Sequence, residues 1–138
     1  MNPSTKVRFG RTNLEVTPFA FGAAPIGNFS RPIDEAASDD MVQLAWGAGV
    51  RYYDTAPMYG HGLSELRFGH SLRWKDRDDF VLSTKVGRLL KPKKRSEIEF
   101  SPWDHAAANE MVSDYTYDGA VRSFEDSLQR LALERIDI

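Results

Sequence analysis

Two short runs near the start of the chain alternate polar and apolar residues, Lys6-Val7-Arg8-Phe9 and Leu14-Glu15-Val16-Thr17, on either side of Gly10-Arg11-Thr12-Asn13. That spacing predicts a β-hairpin, closed off by Pro18. Phe19-Ala20-Phe21-Gly22 follows as an apolar run short enough for a buried strand. Ala23-Ala24-Pro25-Ile26-Gly27-Asn28 is then a loop of small residues. Small side chains let a ligand approach the backbone; close packing of the loop itself is the alternative. Asp34 stands where an N-cap belongs. Ala37, Met41, Leu44, Ala45 and Ala48 recur at helical spacing as one apolar stripe, and Gly49 occupies the C′ position. A strand over 50–54 follows directly.

A second helix is predicted over 64–73. Ser64 suits the orphan amides at its start, Glu65 its positive end, and Leu66, Phe68 and Leu72 its apolar positions. Gly69 inside it costs helix stability and marks close approach to a neighbour. Residues 80–86 form a largely apolar strand that reaches Lys85. Residues 87–117 show no period and read as a long irregular loop, a kind that is often functional or mobile. Helical spacing returns over 118–131, with Val121, Phe124, Leu128 and Leu131 on one side, and Arg135-Ile136-Asp137-Ile138 opens a further strand. Strand and helix alternate with short connections, which implies an α/β domain of parallel strands with right-handed crossovers. No repeat or linker interrupts it, so residues 1–138 read as one domain.

Composition narrows the function classes. The 138 residues are 41% hydrophobic and 28% charged, with 18 basic against 20 acidic side chains and a net charge of −2. That balance gives no general pull toward nucleic acid or anionic lipid. The basic run Lys91-Pro92-Lys93-Lys94-Arg95 is diluted by Glu97 and Glu99 and reads as a solvated loop. There is no cysteine, which excludes disulfides, thiolate metal sites and a cysteine nucleophile. No apolar run is long enough to span a bilayer. The expectation is a soluble cytoplasmic protein with no nucleic-acid or membrane partner and no metal.

The residues with chemical potential are Asp54, Tyr59 and Lys85. Asp54 and Lys85 end successive strands, and adjacent parallel strands lie about 4.8 Å apart. A lysine ammonium beside a phenol favours the phenolate, and a tyrosine so tuned can pass a proton to or from a carbonyl or alcohol oxygen. An aspartate beside the lysine would orient it. The hydride half of such chemistry needs a cofactor. The alternative on spacing alone is an ordinary strand-end salt bridge and a tyrosine packed in a turn.

Asp54-Thr55-Ala56-Pro57, then Tyr59-Gly60, then Ser64-Glu65, then Ser83-Thr84-Lys85 resembles the aldo-keto reductase superfamily. Phe21-Gly22-Ala23-Ala24-Pro25-Ile26-Gly27-Asn28 and Arg122-Ser123-Phe124-Glu125-Asp126-Ser127-Leu128-Gln129-Arg130-Leu131 are similar to its aldose 1-dehydrogenase-like branch, which includes D-threo-aldose (L-fucose) and pyridoxal dehydrogenases. The resemblance runs from Val7 to Ile138. It implies a (β/α)8 TIM barrel, here the hairpin, three β/α units and the start of strand 4, with NAD or NADP as cofactor. It implies Tyr59 as general acid-base, Lys85 as the residue that tunes it and Asp54 as the partner of that lysine. It also implies that Gly22, Ala23, Ala24 and Asp54 line the nicotinamide end of the cofactor. The substrate class implied is a small aldehyde, or a sugar hemiacetal such as that of L-fucose, interconverted with its alcohol or lactone.

The family's fourth catalytic residue is a histidine beyond the strand at Arg135, and the chain ends before it. His61, His70 and His105 do not match that histidine and are expected at the surface or substrate rim. Ala132 replaces the glycine that ends this helix in relatives. A complete barrel takes about 250 residues, so the 138-residue chain alone is expected to be inactive and to self-associate through open edges. A non-catalytic regulatory protein like the potassium-channel β subunits of the same superfamily, or an inactive half-barrel, are the alternatives.

Overall fold

The computed structural model describes residue 2 and residues 4–138. Strands β1 (Val7–Arg8) and β2 (Glu15–Val16) form the predicted antiparallel hairpin, only two residues long on each side. Three parallel strands then lie in the order β3 (Phe21–Gly22), β4 (Tyr52–Asp54) and β5 (Val81–Ser83). Helix α1 (Glu35–Gly47) connects β3 to β4, and α2 (Leu63–Leu72) connects β4 to β5. Helix α3 (Tyr117–Leu131) follows a second hairpin and leads back to the sheet. Residues 136–138 run beside β5: Asp137 N and Ile138 N donate to Leu82 O at 2.9 and 3.2 Å, and Thr84 N donates to Ile138 O at 3.1 Å. Leu82 N is taken by the Asp137 carboxylate at 2.8 Å rather than by a backbone carbonyl, so the ladder there is incomplete. Among the described residues the sheet is an open arc, not a closed barrel, and no helix is long and apolar enough to cross a membrane.

Register and alternation decide what faces where. Phe21 is opposite Tyr53 and Gly22 opposite Asp54; Tyr53 in turn is opposite Leu82 and Asp54 opposite Ser83. Successive strand residues point to opposite faces. Tyr53 and Leu82 therefore point to the helix layer, and both are fully buried there with Ala23, Ile26, Val42, Phe68, Leu72, Phe80 and Leu131. The Tyr53 ring meets Phe68 at 5.6 Å and Phe80 at 6.1 Å between centroids, both edge-on. Burial pushes the Tyr53 phenol up to about 12, and its hydroxyl donates to Val50 O at 3.0 Å.

The helices start and stop largely as their residues predict. Asp34 accepts from Ala37 N at 2.7 Å as the N-cap of α1, and Gly49 beyond its end has φ +92°. The N-cap of α2 is Gly62, not Ser64, whose side chain is used elsewhere. The close approach expected at Gly69 is real: a Cβ there would lie 2.5 Å from Leu131 O. Helix α3 ends on Ala132 in the left-handed region, φ 50° and ψ 41°, despite its Cβ.

Three expectations are corrected. The buried side of α1 is Ser38 and Val42, while Met41 and Leu44 of the predicted stripe face solvent. The buried side of α3 is Gly119, Ser123, Ser127 and Leu131, with Val121 and Phe124 exposed. Residues 87–117 are not an irregular loop: β6 (Arg88–Pro92) and β7 (Asn109–Ser113) pair antiparallel over five residues each.

Candidate active site

The carboxyl ends of β3, β4 and β5 bring the sequence-predicted residues together. Asp54 sits opposite Ser83, and Lys85 lies two residues further along the same strand line, so alternation puts the aspartate and the lysine on the same face. Lys85 Nζ donates to both Asp54 oxygens, at 3.1 and 2.9 Å, and to Thr55 O at 2.8 Å. Ser83 Oγ donates to Asp54 Oδ1 at 2.6 Å, so the carboxylate has a second partner besides the lysine. The pair is open to solvent, with side-chain exposures of 49% for Lys85 and 34% for Asp54.

Tyr59 is brought to this pair by a tight turn. Pro57 ends the strand direction, and Gly60 and His61 follow with φ of 65° and 55°. The turn also needs Gly27, where a Cβ would lie 2.8 Å from the Tyr59 carbonyl carbon. Lys85 Nζ then lies 5.1 Å from the Tyr59 ring centroid, within cation–π range. The ring also meets Trp103, at 5.4 Å between centroids. A cleft of about 320 Å³ opens beside Tyr59 and Lys85, lined also by Met58, Val86, Arg88 and Tyr115; Asp54 is not part of its lining.

The small-residue loop divides between the two roles expected of it. Gly22 is exposed, and a Cβ there would meet no atom within 4 Å. Ala24 is half-buried. Ala23 is fully buried, with its N–H donating to Asp54 O and its carbonyl accepting from Ser64 Oγ, both at 2.9 Å. Ala23 therefore presents no surface to a ligand, and Gly27 serves close packing.

The β6–β7 hairpin folds over this region. Ala107 N donates to Gly60 O at 3.0 Å, Asp104 N to Asn28 O at 2.9 Å and Ser30 N to Pro102 O at 2.9 Å. His61, expected at the rim, is 1% exposed. Its Nδ1 is 2.6 Å from Asn109 O, Asn109 Nδ2 donates to His61 O at 3.0 Å, and its ring lies 5.2 Å from that of Phe100, tilted by 52°. His61 is thus an internal anchor of the hairpin, whereas His70 and His105 are exposed as expected. In the basic run, Lys93 pairs with Glu110 and Arg95 donates to Ala106 O, while Lys91 and Lys94 are solvated.

Sequence reasoning did not single out Ser83, Met58, Val86, Arg88, Tyr115 or Thr55 O for this site. For Ser83 a signal existed, since alternation puts 81, 83 and 85 on one face. Arg88 and Tyr115 belong to the hairpin segment that showed no period.

Parallel strands with an aspartate–lysine pair at their carboxyl rim, set against a tyrosine ring, define an α/β protein with a candidate site at the strand ends. The chain belongs to the Aldo/keto reductase family, which it matches over residues 18–138. It is 40% identical over 147 residues to a pyridoxal 4-dehydrogenase from Microbacterium luteolum, covering 100% of this chain and 43% of that protein. It is 40% identical over 139 residues to a D-threo-aldose 1-dehydrogenase from a Pseudomonas species, covering 98% of this chain and 42% of that one. Among solved structures, an aldo-keto reductase from Bacillus halodurans in its holo form superposes with a TM-score of 0.73 at 26% identity, over 97% of this chain and 38% of that one. The fold is that of part of an aldo-keto reductase TIM barrel, and this chain spans less than half the length of the curated relatives it matches.

Proposed function

We propose that residues 1–138 are the N-terminal part of an aldo-keto reductase domain that uses NAD or NADP to interconvert an aldehyde or sugar hemiacetal with its alcohol or lactone. The observation that carries this reading is the grouping of Asp54, Lys85 and Tyr59 at one strand-end rim, with Lys85 Nζ 2.9 Å from Asp54 and 5.1 Å from the Tyr59 ring centroid. Tyr59 Oη is the group that gives or takes the proton at the substrate oxygen. Lys85 holds a positive charge beside that ring, and Asp54, Ser83 and Thr55 O fix where the charge sits. When bound, the dinucleotide supplies or accepts the hydride. The open face of Gly22, next to Asp54, fits its nicotinamide end, and Ala24 is the second loop residue able to touch it. Met58, Val86 and Tyr115 give the cleft an apolar wall, suited to a small carbonyl or sugar substrate. The relatives named for pyridoxal and D-threo-aldose support that class.

The test is a chimera in which residues 1–138 precede the C-terminal portion of the Microbacterium pyridoxal 4-dehydrogenase. Reduced-nicotinamide absorbance is followed with L-fucose and with pyridoxal, and NAD and NADP are compared. The chimera is expected to turn over, and the isolated 138-residue chain is not. Tyr59→Phe in the chimera should lower kcat by at least about 10²-fold while cofactor binding, read by fluorescence titration, stays within about twofold. Turnover by the Tyr59→Phe chimera at the parent rate would sink the assignment.

A further inference from the structure

Two adjacent side chains at the start of α2, Ser64 and Glu65, are fully buried and hydrogen-bonded to all three strand ends. Ser64 Oγ donates to Ala23 O at 2.9 Å, just past β3. The same oxygen lies 2.9 Å from Thr55 Oγ1, just past β4. A serine hydroxyl has one proton, and Ala23 O takes it, so Thr55 is the donor to Ser64. Glu65 Oε1 accepts from Thr84 Oγ1 at 2.8 Å, just past β5. Its Oε2 accepts from Arg130 Nε at 2.6 Å, at the far end of α3. A buried carboxylate needs such partners, and Glu65 gains further from the positive end of its own helix.

The three clasped residues have a common relation to the site. Ala23 follows Gly22, Thr55 follows Asp54, and Thr84 precedes Lys85. Lys85 bonds the Asp54 carboxylate and Thr55 O together, which requires the ends of β4 and β5 to be held in fixed relation. Backbone bonds supply part of this, with Ala23 N donating to Asp54 O and Thr55 N to Ser83 O, both at 2.9 Å. Beyond those bonds the strand ends diverge into separate loops, and the side chains of Ser64 and Glu65 take over.

We infer that Ser64 and Glu65 are positioning residues: they clasp the three strand ends from beneath and set where Lys85 stands relative to Asp54 and Tyr59. This rests on the proposal that those three residues form the working site, but it is tested without turnover. The 138-residue chain is labelled with acetic anhydride, and acetylation of each lysine is followed by mass spectrometry. Lys91 and Lys94, both solvated, are the internal references. In the parent chain Lys85, engaged with three acceptor atoms, is expected to label more slowly than either. Thr84→Val, which removes only the Glu65 bond, and Ser64→Ala should each raise the Lys85 rate relative to the references by roughly fivefold, the effect of one lost hydrogen bond. Ser64→Thr, which keeps a hydroxyl, should restore it. An unchanged ratio in both variants, or a rise shared equally by Lys91 and Lys94, overturns the inference. A turnover failure in the chimera would leave this result standing, so the two proposals fail separately.

Discussion

Single residues at the contact between α2 and α3 show how one Cβ changes sign with place. Ala132 carries a Cβ in the left-handed region, φ 50°, where glycine is at ease. Gly69 lacks one where it would strike Leu131 O at 2.5 Å, one residue away in the same helix end. Exchanging them should give opposite results. Ala132→Gly relieves the backbone strain at a cost in unfolded-chain entropy, and the strain term is the larger; the urea midpoint should rise by the equivalent of about 0.5–1 kcal/mol. Gly69→Ala gains helix propensity of about 1 kcal/mol but forces two helices apart, and overpacking of this kind costs roughly 1–3 kcal/mol. Its midpoint should fall. Both residues were legible from the chain alone, Gly69 as an anomaly inside a helical pattern and Ala132 as a departure from relatives. The third dimension adds that they belong to the same contact.

At the scale of elements, the pattern of apolar positions fixes period better than direction. Ala37, Met41, Leu44, Ala45 and Ala48 do recur at helical spacing, but α1 also carries Ser38 and Val42 on another face, and those are the ones the core buries. Small residues let α1 and α3 pack closely against α2, and α3 against β6, where Ser123 Oγ donates to Arg88 O, so a stripe containing serine can be the inner one. β4 and β5 were readable as short aromatic or apolar runs beside turn residues, because the core buries Tyr53 of β4 and all three residues of β5. The β6–β7 hairpin was not. Nearly every residue of β7 is half-buried, which leaves no contrast between its faces for a period to show. Pro92 and the consecutive Leu89 and Leu90 break alternation in β6. What holds the hairpin is contact distant in sequence, at Gly60, His61 and Asn28. Asn109→Ala removes the amide that donates to His61 O. Amide exchange across residues 88–113 should then accelerate roughly tenfold while the amides of Leu82 and Tyr53 stay protected, as expected for a locally opening unit. Equal acceleration in the core strands would show that the hairpin does not open independently.

For the whole molecule, the two helix stripes that the core leaves uncovered lie on faces that solvent should not favour. Leu44 is 74% exposed, and Val121 and Phe124 are about two-fifths exposed, while β3 has a partner strand on one side only. Apolar faces and unpaired strand edges of this kind associate. We expect the 138-residue chain to self-associate in sedimentation velocity. The double substitution Leu44→Glu with Phe124→Glu should return it to a monomer, with stability lowered by about 0.5 kcal/mol or less at Leu44, which is mostly in water, and by roughly 1 kcal/mol at the part-buried Phe124. The same two substitutions should act oppositely in the chimera. If a complete barrel covers these faces, each glutamate is forced into an apolar contact without a partner, and an unpaired buried charge costs several kcal/mol. The chimera's thermal midpoint should then drop by more than 10 °C, against about 6 °C or less for the isolated chain. A chimera that tolerates both glutamates as well as the isolated chain does would mean that α1 and α3 turn these faces outward in the complete protein too, and the stripes would then need a different partner.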